Sequence, residues 1–178
     1  MTRRLPAFAG PSLILGAALG GFAGPAVAAG LDVKVEIPRL SVAEYHRPYV
    51  AIWIEGEGQP ARTLAVWYDA DNREEGGRKW LADLRQWWRK SGRNLTLPAD
   101  GLTGATRAPG VQAVSFSGAH PALKNLPAGQ YQLAVEAARE VGGQEVVKTP
   151  FKWPPAAPLT TSAKGSRELG AITVTTKP

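Results

Sequence analysis

A series of short apolar runs, each closed by glycine, proline or a polar turn, restricts this chain to one broad kind of fold. Leu31-Asp32-Val33-Lys34-Val35-Glu36-Ile37 alternates apolar and polar with period two, as a strand with one wet face does. Tyr49 to Glu55 is almost continuously apolar, the mark of a central strand. Gly56-Glu57-Gly58-Gln59-Pro60 breaks it before Thr63 to Tyr68, so the two runs read as a hairpin. Further runs follow at Val111 to Phe116, Gln130 to Ala138, Glu145 to Phe151 and Ala171 to Thr175. Pro127-Ala128-Gly129 leads into one of them, and Gly142-Gly143 turns between two. No βαβ alternation is visible, which argues against a Rossmann-like nucleotide domain. The expectation is a mainly β chain, an antiparallel β-sandwich of immunoglobulin-like type. Lys152 to Arg167, rich in Pro, Ala, Ser and Thr, reads as a loose connection before the last strand.

One segment breaks the β pattern. Arg78 to Ser91 places Trp80, Leu81, Leu84, Trp87 and Trp88 at helical spacing, with Lys and Arg elsewhere, so one amphipathic helix is expected to be inserted. Gly92 stands where a C-terminal cap belongs, and Arg89 and Lys90 fall in the last turn, favoured by the helix dipole. The stripe reads first as packing onto the sandwich. Trp87 inside and Trp88 at the rim would leave the second indole able to stack on a planar ligand. The basic positions Arg78, Lys79, Arg85, Arg89 and Lys90 read as a solubilising face that can also steer an acidic partner.

The ends and the composition narrow the function classes. Arg3 and Arg4 precede an apolar stretch from Leu13 to Leu19, and Ala26-Val27-Ala28 is a small-residue cleavage site. Residues 1–28 therefore read as a secretory signal, cleaved after Ala28 or, second, after Ala29. Pro6 spoils a twin-arginine pattern at Thr2-Arg3-Arg4. Residues 29–178 then form a single exported, periplasmic domain, large enough to bury a core. The absence of cysteine removes disulfides, iron–sulfur clusters, c-type haem attachment and thiol catalysis. Two histidines, His46 and His120, are too few for a His-rich metal site, so no metal ligands are assigned. The formal charge of +6 falls when Arg3 and Arg4 are removed, and it points to acidic partners or anionic ligands rather than nucleic acid.

The stretch that carries chemistry is Asp100-Gly101-Leu102-Thr103-Gly104-Ala105-Thr106. It resembles D-x-x-[ST]-G-A-[ST], the acceptor sequence of FAD:protein FMN transferases. That resemblance implies that the Thr106 hydroxyl attacks the pyrophosphate of FAD and ends as a phosphoester of FMN. Asp100, Thr103, Gly104 and Ala105 would be the recognition frame, with small Gly104 and Ala105 leaving the hydroxyl open. Arg107 directly follows and suits a phosphate diester. The plainer alternative is a surface turn in which the glycines supply backbone freedom and Asp100 caps a neighbouring N–H.

A second resemblance covers most of the mature chain, from about Leu31 to Trp153. Tyr45-His46-Arg47-Pro48-Tyr49 through Glu55, Lys79-Trp80-Leu81 through Trp87-Trp88-Arg89, and Gly104-Ala105-Thr106-Arg107-Ala108-Pro109-Gly110 together resemble a family of predicted periplasmic bacterial proteins, domain of unknown function 2271. Its settings, beside membrane-bound PepSY-type reductases and iron uptake, imply a redox role in ferric-iron assimilation. No second sign of the usual FMN-binding domain of flavinylated proteins is present, so the surroundings of a flavin cannot be carried over from them.

The remaining candidates are weaker. His46-Arg47-Pro48, just before the central strand, is either a cationic pair for a phosphate or reduced flavin, or a solvated turn. His120-Pro121 reads as an ordinary loop. Glu136 and Glu140, with Arg139 between them, read as surface ion pairs. No nucleophile elbow accompanies the histidines. The chain is thus expected to be an electron carrier rather than an enzyme with its own substrate. FMN would be held at Thr106, with Trp88, Arg107, His46 and Arg47 as neighbours. A membrane-bound reductase would be the donor and ferric complexes the acceptor. The rival from another class is a non-redox periplasmic binding or assembly module.

Overall fold

The computed structural model describes residues 29–70 and 76–178; the signal read at residues 1–28 lies outside them. In chain order the strands are β1 (Gly30–Ile37), β2 (Tyr49–Gly56), β3 (Arg62–Trp67), β4 (Thr103–Gly104), β5 (Gly110–Ser117), β6 (Gly129–Ala138), β7 (Gln144–Trp153), β8 (Leu159–Lys164) and β9 (Ala171–Lys177). They build two sheets, β5-β1-β9-β8 and β4-β3-β2-β6-β7. The sandwich expected from the alternation is the fold observed.

Period-two patterning decides which side each residue takes. In β1, Leu31, Val33, Val35 and Ile37 enter the core between the sheets, while Lys34 stays exposed. β2 and β6 are apolar on both sides because both sides are covered. Val50, Ile52, Ile54, Leu133, Val135 and Ala137 face the other sheet. Ala51, Trp53, Ala134 and Ala138 face a second cluster with Leu81, Leu84, Trp87 and Leu97. The inserted segment therefore forms a third layer over the five-stranded sheet.

That segment is not the continuous helix expected. It runs as α1 (Gly76–Lys79), a 3₁₀ turn (Trp80–Asp83), α2 (Arg85–Lys90) and a second 3₁₀ turn (Gly92–Asn94). Leu84, at ψ 68°, leaves the helical region and restarts the chain. The restart lets Leu81, Leu84 and Trp87 all reach the sheet, and it turns Trp80 outward, 42% exposed. Trp87 is fully buried, and its indole N–H donates to Thr63 Oγ1 at 2.9 Å. Gly92 is not the cap of α2; Ser91 occupies that position, and its N–H donates to the Trp87 carbonyl. A Cβ on Gly92 would come within 2.7 Å of the Trp87 ring, so close packing explains the glycine.

Two further expectations are corrected. Lys152 to Arg167 is not loose, since β8 lies inside it and pairs with β9 from Leu159↔Thr176 to Lys164↔Ala171. β8 is a Thr- and Ser-bearing edge strand with little buried apolar surface, so composition alone disguised it. Glu136 is not in a surface ion pair. It lies fully buried on the outer face of β6 and accepts the N–H groups of Gln86 (3.1 Å) and Trp87 (2.8 Å), with Gln144 also donating to it. A carboxylate at the start of α2 meets the free N–H groups that every helix start exposes.

Candidate functional site

The D-G-L-T-G-A-T segment starts in a turn and ends as a sheet edge. Gly101 has φ +74°, a left-handed conformation that glycine adopts without cost. The N–H groups of Leu102 and Thr103 donate back to the Ala99 carbonyl, and the Thr103 hydroxyl accepts the Ala99 N–H at 2.9 Å. The chain then pairs with β3 as β4, in parallel: Val66 donates to Leu102 at 2.7 Å and Tyr68 to Gly104 at 2.9 Å. Every other strand pairing is antiparallel, so this short parallel ladder is a departure from the expected pattern.

Parallel pairing delivers Thr106 to the end of the sheet where β2 and α1-side turns begin and β3 and β6 finish. A cavity of about 330 Å³ opens there, and Thr106 lines it. His46 and Arg47 line the same cavity, so the structure brings these three sequence candidates together. Three aromatic residues, Tyr45, Tyr49 and Trp80, share its walls with Ala138 and the carboxylates Asp69, Asp83 and Glu140. Arg139 contributes another cation from the β6–β7 turn.

The polar groups lining the cavity are held to different degrees. His46 Nε2 stands 2.9 Å from Glu44 and its Nδ1 3.7 Å from Glu140. Arg139 forms a two-pronged, nearly buried pair with Glu168 at 3.0 and 3.1 Å. Arg47 makes no ion pair with a described residue, which leaves it the cation most able to meet an added anion. Burial pushes the Tyr45 and Tyr49 hydroxyls above the usual phenol range, so both remain protonated donors. Tyr45 Oη is buried and has no hydrogen-bond partner among the described residues. An orphaned donor, three aromatic walls and this Arg47 beside a hydroxyl fit a planar, phosphorylated cofactor. The phosphate would lie on the Arg47 side, away from the carboxylates of Asp69, Asp83 and Glu140 that share the lining.

Other sequence candidates fall elsewhere. Arg107 does not line this cavity. Its guanidinium lies 5.3 Å from the centroid of the Trp67 ring, and with Thr103 and Gly104 it lines a neighbouring groove. Asp100 and Ala105 are exposed, and neither is among the residues lining either hollow. Trp88 packs partly buried beside Trp87, ring centroids 6.2 Å apart, and lines neither hollow. The indole at the cavity is Trp80, eight residues before Trp88 in the chain. Helical periodicity grouped Trp80 with the inward stripe; only the break at Leu84 sends it outward. Tyr45, Tyr49 and Arg139 were also missed, because each reads alone as an ordinary strand or turn residue. His120 is bonded within its loop: Nδ1 accepts the Ala122 N–H at 3.2 Å, and Nε2 lies 3.4 Å from the Gly101 carbonyl. Burial lowers its pKa, which favours the neutral ring.

Among the described residues no helix is long and apolar enough to cross a membrane. No curated protein and no solved structure matches the chain. A family model does match, over residues 30–171, so most of the sandwich and all of the Thr106 site lie within it. The chain belongs to that family, described as Predicted periplasmic protein (DUF2271).

Proposed function

We propose that this protein is an exported electron carrier with FMN attached through a phosphoester to Thr106. The observation that carries the reading is a juxtaposition. The residue that the acceptor-like sequence singles out lines a cavity shared by three aromatic rings, Tyr45, Tyr49 and Trp80, and by Arg47, with the carboxylates of Asp69, Asp83 and Glu140 also in its walls. Bound there, the isoalloxazine would supply redox chemistry that no side chain of this cysteine-free sequence offers. Arg47, which makes no ion pair with a described residue, would meet the phosphate with His46 beside it, guanidinium being the best-shaped partner for it. Asp100, Thr103, Gly104 and Ala105 would be the frame read by an FAD:protein FMN transferase. A covalent tether suits the compartment, because it keeps the ring at high effective concentration where a dissociating cofactor would be diluted away. Without a dinucleotide fingerprint, the carrier takes electrons from another protein. A membrane-bound PepSY-type reductase is the proposed donor and ferric complexes the proposed acceptor, in iron assimilation.

The test is intact-mass spectrometry of the chain exported alongside a cognate FAD:protein FMN transferase. The expected species starts after about Ala28 and carries one esterified FMN, with the modified peptide ending the acceptor motif at Thr106. Thr106→Ala should abolish the flavin fluorescence of the denatured band. Unmodified wild-type polypeptide under those conditions would leave the non-redox binding or assembly module as the better reading.

A further inference from the structure

We propose that Trp80 and Tyr45 form a ring-recognition site that binds isoalloxazine without the ester, the indole covering one ring face and the phenol donating to a ring carbonyl or nitrogen. The inference deepens the FMN reading of the same cavity and rests on it.

Trp80 is the first support. Its neighbours Leu81, Leu84 and Trp87 are buried, yet it is 42% exposed, in a segment where turning a large indole outward forgoes burial. It lines the Thr106 cavity and, together with Asp83, Ala138, Arg139 and Glu140, also the adjoining groove that runs along Arg139 to Gln144. Lys79 Nζ sits 5.3 Å from its ring centroid and steadies the indole in that place. A half-exposed tryptophan that lines a cavity together with Tyr45 and Tyr49 can cover a flat guest.

Tyr45 is the second and independent support. Its hydroxyl is buried without a partner among the described residues, a condition that costs free energy unless a guest supplies an acceptor. Oxidised isoalloxazine carries carbonyl oxygens and ring nitrogens along one edge, which are acceptors of the kind required. Tyr49 adds a wall held edge-on by Tyr68, with ring centroids 6.2 Å apart, so the aromatic lining is braced from behind.

The experiment separates ring recognition from ester formation. Thr106→Ala protein, which cannot be esterified there, is titrated with free FMN and with riboflavin, following tryptophan and flavin emission. Saturable binding of both is expected. Adding Trp80→Ala should weaken it roughly tenfold, and adding Tyr45→Phe about fivefold. Trp88→Phe should leave it unchanged. In esterified wild-type protein the flavin emission should be quenched, and Trp80→Ala should brighten it at equal loading by mass. Absence of saturable binding up to about 1 mM FMN would overturn the proposal. So would binding that responds to Trp88→Phe and not to Trp80→Ala. Failure of the ester alone gives a different pattern: free FMN binds with the stated variant effects, while wild-type protein made with the transferase gains no mass. Circular dichroism and thermal melts confirm that each variant is folded before it is scored.

Discussion

A Cβ built on Gly104 would stand 3.0 Å from Cδ1 of the Trp67 indole, while one built on Gly101 would meet nothing within 4 Å. The two glycines of the acceptor segment are thus required for different reasons, contact space at Gly104 and a positive φ at Gly101. Gly104→Val should push β4 off β3 and cost ~1–3 kcal/mol, measured by urea unfolding. Gly101→Ala should cost about 1 kcal/mol through backbone strain, with the Trp67 packing intact. Under the proposed function, both changes should also slow FMN transfer to Thr106 in the transferase assay, because both disturb the path that brings its hydroxyl to the cavity. Thr103 works by a third route, its hydroxyl fastening Ala99.

Elements here are held by carboxylates that accept backbone N–H groups, fully buried at Glu136 and part-buried at Glu145. Glu136 joins α2 to β6 in that way, and α2 in turn covers the outer face of the sheet. Glu136→Ala should cost ~3 kcal/mol and alter the near-ultraviolet signal of Trp87, whereas Glu136→Gln, which keeps an acceptor, should cost about 1 kcal/mol. Glu145 does the same for the loop before β9, accepting the N–H groups of Ser166, Arg167, Glu168 and Leu169 at 2.7–3.0 Å. Burial alone would raise its pKa, but the combined donors outweigh it and hold the carboxyl below the usual range. A lowered folded-state pKa means stabilisation that is present above the unfolded value and is lost as pH falls through the folded one. The stability gap between wild type and Glu145→Gln should therefore be wide at about pH 6 and narrow by about pH 3, read from urea midpoints.

At the scale of the molecule, Arg139 and Glu168 fasten the two sheets at the same end as the Thr106 cavity. Arg139 follows β6 of one sheet, and Glu168 precedes β9 of the other, with Gly143 N–H also donating to Glu168 at 2.8 Å. Their side chains are 7% and 5% exposed, so removing one strands the other in a dry place. Arg139→Met should cost ~3–5 kcal/mol, and the double variant Arg139→Met/Glu168→Leu should recover much of it, by equilibrium unfolding.

The sheet layers were legible in the sequence because a strand has a two-residue period and each face reports its own solvent. β1 alternates because one face is wet, and β2 is apolar throughout because both faces are covered. The family resemblance was equally legible, as was the pairing of Trp87 inside with Trp88 at the rim. What the linear order could not hold is adjacency between segments far apart in the chain. Tyr45, Trp80, Thr106 and Arg139 come to line one cavity only when the start of β2 and the ends of β3, β4 and β6 meet at one end of a sheet. Helical spacing alone cannot foresee a break at Leu84, because the pull that turns Trp80 outward is the fit of Leu81, Leu84 and Trp87 against strands laid down elsewhere. Local pattern, set by short-range sterics and solvent, chose the elements; long-range packing chose which side chains share a cavity.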